Sequence, residues 1–242
     1  MSNLNDLEKE YLKLEKENFP DGKRIKFIAN LGASGEIAYH YELICKQWQE
    51  GRQLNLESSF DRHGGAGLEF LFERLAKKSD QKIKIETIYL IAQILSKSKH
   101  RDFYTTFCDR LIPQIISFLG TNDTFRRKLI IALGWVGTLE QIEILISEMH
   151  GSKDSLCRAW AAASLMQMSF HRVSQEILCA KTKSAFLQGI SSEKDLYTCA
   201  VMIEAAQILF GKKWISSIAV QDQDTEKIEK ARKMAVKFLG RD

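Results

Sequence analysis

The segment Asp61-Arg62-His63-Gly64-Gly65-Ala66-Gly67 concentrates the residue types best suited to chemistry. Its glycines free backbone amides, a helix is expected just after it, and Arg62 and His63 add positive charge. Amides at the start of a helix beside a cation can bind an anion. Arg62, His63, Gly64 and Gly65 are therefore a candidate anion site, weighed against the plainer reading of a flexible connector. Glu36 and His40 share one face of an expected helix and could hold a metal together. Two ligands leave such a site incomplete, so no metal is expected. The other histidines, His100, His150 and His171, are scattered near expected helix ends. The chain has no HExxH, no GxSxG, no Walker loop and no GxGxxG behind a strand, so no catalytic residue and no cofactor is assigned.

The elements that would position such residues are helices. Two prolines and 14 glycines in 242 residues leave little room for the many turns of an all-β chain. A formal net charge of +4, mixed along the chain, is too small to argue for nucleic acid by itself. The five cysteines Cys45, Cys108, Cys157, Cys179 and Cys199 are widely spaced without a CxxC, which fits buried free thiols in a reducing compartment. The charged start MSNLNDLEKEYLKLEKE has no apolar signal core, and no run approaches a membrane span. The expectation is a cytoplasmic protein that does not enter a membrane.

Leu4, Leu7, Tyr11 and Leu14 form the stripe of a first helix, stopped by Pro20 and Gly22. Gly32 to Gly35 reads as a break, residues 36–49 as a second helix, and residues 51–67 as the longest irregular stretch. From Gly67 the pattern is regular. Helices are expected over 68–77, 83–95, 103–119, 125–136, 139–149, 156–168, 174–189, 196–210 and 226–239.

The turns superpose at Asp80, Asn122, Asp154 and Asp195, at intervals of 42, 32 and 41 residues, which fits helical-hairpin repeats. Asp or Asn there accepts a hydrogen bond from the free amides of the following helix. Positions three, eight and eleven after the turn share one face and should bury: Ile83, Ile88 and Ile91; Phe125, Ile130 and Leu133; Cys157, Ala162 and Leu165; Thr198, Ile203 and Ala206. The basic residue at position four, Arg126 or Arg158, can reach the acid of its own turn or the next. A lone hairpin cannot cover both its faces, so neighbours must stack on it.

Asn122, Phe125, Arg126, Ile130, Ala132, Leu133 and Gly134, and again Asp154, Arg158, Ala161, Ala162 and Leu165, resemble the HEAT-repeat family, especially its divergent bacterial HEAT-like members. The family pattern is D-x-x-V-R-x-x-A-A-x-A-L-G, and Pro113 falls where the first helix of a repeat often carries proline. The likeness is good over 101–170, weaker over 64–100 and 174–212, and absent over 1–60. The resemblance implies an all-α, right-handed α-α superhelix of HEAT-like hairpins. In it residues 1–63 form a helical N-terminal cap, 64–214 the repeats, and 215–242 a C-terminal capping helix.

In such repeats the second helices line the concave side. Positions six, nine and thirteen after each turn then point outward: Glu86, Tyr89 and Gln93; Lys128, Ile131 and Trp135; Trp160, Ala163 and Gln167; Val201, Glu204 and Ile208. Tyr89, Trp135 and Trp160 would anchor a partner, with Glu86, Gln93, Lys128, Gln167 and Glu204 as polar contacts. If the phase is off by one, these aromatics are core. Superfamily members serve as scaffolds, inhibitors, lyases and, in one branch, DNA glycosylases. The reading is a non-catalytic scaffold, or an inhibitor or immunity-type protein, with a protein partner and no cofactor. The alternatives are an alkylpurine-glycosylase-like DNA binder and, behind it, a bilin lyase. Lys77-Lys78, Lys97 to Arg101, Arg126 to Lys128 and Lys212-Lys213 would either meet phosphates or form a solvated edge.

Overall fold

The computed structural model describes residues 3–77 and 80–241. Lys78 and Ser79, read above as part of a basic cluster and of a turn, lie outside them. Every regular element among the described residues is a helix. The chain packs as two compact units, Met1–Ile94 and Leu95–Asp242, dividing inside the stretch assigned to the repeats.

In the first unit, α1 (Leu4–Lys16) starts at Asn3, whose side chain caps the Asp6 amide, and buries Leu7, Tyr11 and Leu14. Helix α2 (Asp21–Ala33) occupies residues that the sequence offered as breakers. Pro20 stands just before its first residue, where a missing amide costs nothing. Gly32, in the last turn, must lack a side chain because a Cβ there would come within 2.6 Å of the Ser59 carbonyl oxygen. It marks a close approach rather than a break. Helix α3 (Ile37–Glu50) ends at Gly51 in the left-handed region, φ 67°.

The stretch expected to be irregular is largely ordered into a 3₁₀ helix, Leu56–His63, which runs straight into α4 (Gly64–Ala76). It is pinned from both sides. Ser59 Oγ donates to the Ile28 carbonyl of α2 at 2.6 Å, and the Leu56 amide donates to Gln47 Oε1 of α3 at 3.3 Å. Leu56 and Phe60 are buried. Helix α5 (Gln81–Ser96) follows.

His40 of α3 is fully buried. Its Nε2 lies 2.8 Å from the Leu56 carbonyl and its Nδ1 2.9 Å from His63 Nε2. A carbonyl only accepts, so His40 carries its proton on Nε2 and its Nδ1 accepts from His63. Both nitrogens are thereby used, and neither is open to a metal beside Glu36. Burial pushes the His40 pKa down to about 4 and also lowers that of His63.

The second unit is a run of helical hairpins: α6 (Tyr104–Phe118) with α7 (Asp123–Val136), α8 (Ile142–Gly151) with α9 (Ser155–Met168), and α10 (Gln175–Ser192) with α11 (Leu196–Leu209). The second helices pack in chain order, α7 on α9 and α9 on α11. The turn residues cap them as their spacing requires. Asn122 accepts from the Phe125 amide at 3.2 Å, Asp154 from Cys157 at 2.7 Å, and Asp195 from Thr198 at 2.8 Å. Each such cap contributes about 1 kcal/mol. Positions three, eight and eleven are buried throughout, apart from half-buried Phe125. The segment expected to be one closing helix is two, α12 (Ser217–Gln221) and α13 (Thr225–Leu239), and α13 packs on both α10 and α11.

The histidine pair predicts an acid response of the first unit. The unfolded chain takes up a proton on His40 near pH 6.5, whereas the folded unit resists it until about 4. The contribution to stability is therefore complete above about pH 6.5 and lost as pH falls, by up to about 3 kcal/mol near pH 4. Protection factors of α3 amides, corrected for the pH dependence of intrinsic exchange, should fall across that window as pH is lowered, and His40→Asn should flatten the profile. An equally steep profile in the variant would exclude the assignment.

Candidate functional site

The outward side of the second helices in the second unit is fixed by two guanidinium links between hairpins. Arg127 of α7 reaches forward to Asp154, the cap of α9, with Nε to Oδ1 at 2.9 Å and Nη2 to Oδ2 at 2.5 Å. Arg158 of α9 reaches forward to Glu193, in the turn before α11, at 2.7 and 2.8 Å. Arg158 also donates to the Ser152 carbonyl at 2.9 Å. Glu193 Oε1 in turn accepts the Lys194 and Asp195 amides, both at 2.9 Å. The Arg127 bond holds the Asp154 pKa down to about 2. Burial pushes the Glu193 carboxyl up, but Arg158 and the two amides outweigh it and the net shift is downward.

Between these links the helices come close. A Cβ on Gly134 would stand 2.8 Å from the Ser164 Cα, and Ser164 Oγ donates to the Ile130 carbonyl at 2.9 Å. Ala159, Ala161 and Ala162 are buried on the same helix. With small residues filling the contact, the large side chains at positions six, nine and thirteen turn away from it. Trp160 is 37% exposed and Ile208 41% exposed. Lys128, Ile131, Trp135, Ala163, Gln167, Val201 and Glu204 are half-buried. Glu204 accepts from Ser217 Oγ at 2.5 Å. Neither indole is core. In the first unit, Tyr89 and Gln93 are half-buried, but Glu86 is buried at 9% exposure. It departs from the outward placement expected of it.

The four residues read as an anion site belong to the joint between the 3₁₀ helix and α4. Gly64 joins the two at φ 58°, a conformation that favours glycine, and Gly65 lies in the first turn of α4. Arg62 reaches the Ala29 carbonyl at 3.5 Å, and His63 spends its Nε2 on His40. A Cβ on Gly67 would stand 2.6 Å from that of His63, so this glycine is also explained by packing.

The basic stretch 126–128 is largely used inside the unit. Arg126 Nε donates to the Leu119 carbonyl at 2.9 Å, and Arg127 holds Asp154. Lys99 donates to the Phe170 carbonyl at 2.9 Å. A cleft of 270 Å³ is lined by His150, Arg158 and Glu193 among others, and these three are committed elsewhere. Arg158 and Glu193 bind each other, and His150 Nε2 lies 2.9 Å from the Ala185 carbonyl. No group of three or more His, Cys, Asp or Glu among the described residues could hold a metal ion. Sequence spacing did not reveal Phe170, 53% exposed just past α9, or Ile218, 70% exposed on α12. Both follow breaks in the periodicity, where helical phase carries no information.

The family model described as HEAT repeats matches residues 68–166. No curated protein and no solved structure matches the chain. HEAT repeats generally serve as protein-interaction scaffolds. No helix among the described residues is long and apolar enough to cross a membrane.

The two guanidinium links predict unequal costs. The Arg158 and Glu193 side chains are 18% and 5% exposed, whereas those of Arg127 and Asp154 are 30% and 17% exposed. Arg158→Met strands a nearly buried carboxylate and should cost about 3 kcal/mol in denaturant unfolding. Arg127→Met should cost about 1 kcal/mol, because water reaches that pair. Equal losses, or a larger one at Arg127, would contradict the account.

Proposed function

We propose that this chain, whose residues 68–166 are HEAT repeats, is a non-catalytic scaffold or inhibitor-type protein. On this reading it holds a protein partner on the outward side of its second helices. The observation that carries the reading is Trp160. Its indole stands 37% exposed on a helix whose buried face is mostly alanine, cysteine and serine. A half-solvated indole flanked on the same side by further apolar groups is suited to anchor a partner, and Trp is among the residues most enriched at binding hot spots. Ile208 on α11 and half-buried Trp135 on α7 supply apolar area on the flanking helices. Lys128, Gln167 and Glu204 set polarity around them. In the first unit, taken by itself, Tyr89 and Gln93 are a separate candidate contact at positions nine and thirteen after Asp80.

The glycosylase-like alternative draws little from this face. Arg126 and Arg127, the cations it would need, bind the Leu119 carbonyl and Asp154.

Trp160→Ala should leave unfolding stability nearly unchanged, because the side chain is partly solvated. It should weaken a captured partner by on the order of 2 kcal/mol, about 30-fold in Kd. Affinity capture from the source cells, then titration of the recovered partner against wild type, Trp160→Ala and Ile208→Asp, measures this. Partners bound equally well by all three would remove the second-helix face from the interaction.

A further inference from the structure

The positive charge of this chain is concentrated in one place that the second-helix face does not include. Between Thr225 and Arg241 stand six Lys or Arg and two Glu, an excess as large as the +4 of the whole chain. Two of the six cations are occupied. Lys227 pairs with Asp224 at 2.7 Å, and Arg232 donates to the Glu193 carbonyl at 3.0 Å. The other four, Lys230, Lys233, Lys237 and Arg241, are exposed. Among the described residues no carboxylate lies within ion-pair distance of any of them.

Helical geometry lines three of them up. Spacings of three and four residues put Lys230, Lys233 and Lys237 on one stripe, about 10 Å long, opposite the buried Ile228, Ala231, Ala235 and Leu239, and Arg241 follows two residues past the end of the helix. Cations near a helix C-terminus are favoured by the dipole, but that effect is confined to the last turn and leaves Lys230 and Lys233 unexplained. A solvated helix face ordinarily mixes both signs, and between Lys230 and Arg241 there is no acid at all.

We propose that the outward face of α13 is a sequence-neutral docking surface for the phosphate backbone of duplex DNA. A row of unpaired cations at 4.5–6 Å rise is suited to phosphates and releases their counterions. The stripe offers nothing for bases. The one aromatic of α13, Phe238, packs against Phe210 and Trp214 with ring centroids at 6.1 and 5.6 Å. Single strands are gripped by stacking on free aromatics, which this face lacks. It also has no hydroxyl or amide side chain to read a base edge or a 2′-hydroxyl. A membrane surface would need bulky apolar residues beside the cations, and only Met234, 38% exposed, is there. A protein partner would need an aromatic or aliphatic anchor, and the same lack argues against it.

The test is fluorescence anisotropy of the full chain with a labelled 20-base-pair duplex DNA of arbitrary sequence. Four phosphate contacts predict a log–log salt slope near −3.6, so affinity should drop about 100-fold from 50 to 200 mM salt. The variant K230Q/K233Q/K237Q/R241Q should weaken binding at 50 mM salt at least tenfold and flatten the slope by about three. The charge-matched control K9Q/K13Q/K16Q/K26Q, on exposed sites of α1 and α2, should change it less than twofold. Equal loss in both variants would show general charge and overturn the proposal. So would no duplex binding at 50 mM salt, tighter binding to a single strand of the same length, or binding to vesicles of 30% phosphatidylserine without binding to the duplex.

Discussion

A guanidinium reaching from one helical hairpin into the turn of the next is the constraint on which the second unit depends. Hairpins sharing only an apolar face could slide along one another at little cost, since burial is non-directional. Arg127 on Asp154 and Arg158 on Glu193 remove that freedom, because each is a two-pronged contact that tolerates one stagger. Once the stagger is set, Gly134 meets Ser164, the alanines of α9 fill the contact, and the large side chains have only the outward side left to them.

Much of this was legible because it is local. An Asp or Asn at a turn, followed by apolar residues at three, eight and eleven, states a helix start and a buried face within a dozen residues, and the caps at Asn122, Asp154 and Asp195 sit where that spacing puts them. The first unit was harder to read because its determinants are distant in sequence. Gly32 answers to Ser59, and His40 answers to Leu56 and His63; read one at a time, the glycine looks like a breaker and the histidine like a ligand. Helix α2 was missed for that reason, and the 3₁₀ helix because its ties run to Ile28 and Gln47. Glu86 shows the limit of phase alone: its outward position follows from spacing, but its burial depends on neighbours that spacing does not specify.

The same contrast explains why basic residues mislead when counted along the chain. Arg126 and Arg127 stand in a cationic triplet with Lys128, yet both arginines are structural ties. Lys230, Lys233 and Lys237 are interrupted by apolar residues and look dilute, yet the helix gathers them on one side. Function follows the partner each charge has, and a hydrogen-bond census discriminates where composition cannot.

Asp154 has a double duty with a mechanical consequence. One carboxylate both closes the first turn of α9 and accepts the arm of α7. The start of one hairpin and its attachment to the previous one are thus a single chemical event. Stacked repeats can in principle fray one at a time from an end, each boundary behaving as an independent nearest-neighbour joint. Here the two roles meet in one side chain: losing Arg127 leaves the cap of α9 in place, whereas losing the Asp154 carboxylate removes the joint and the cap together. This shared carboxylate couples the start of one hairpin to its attachment to the one before.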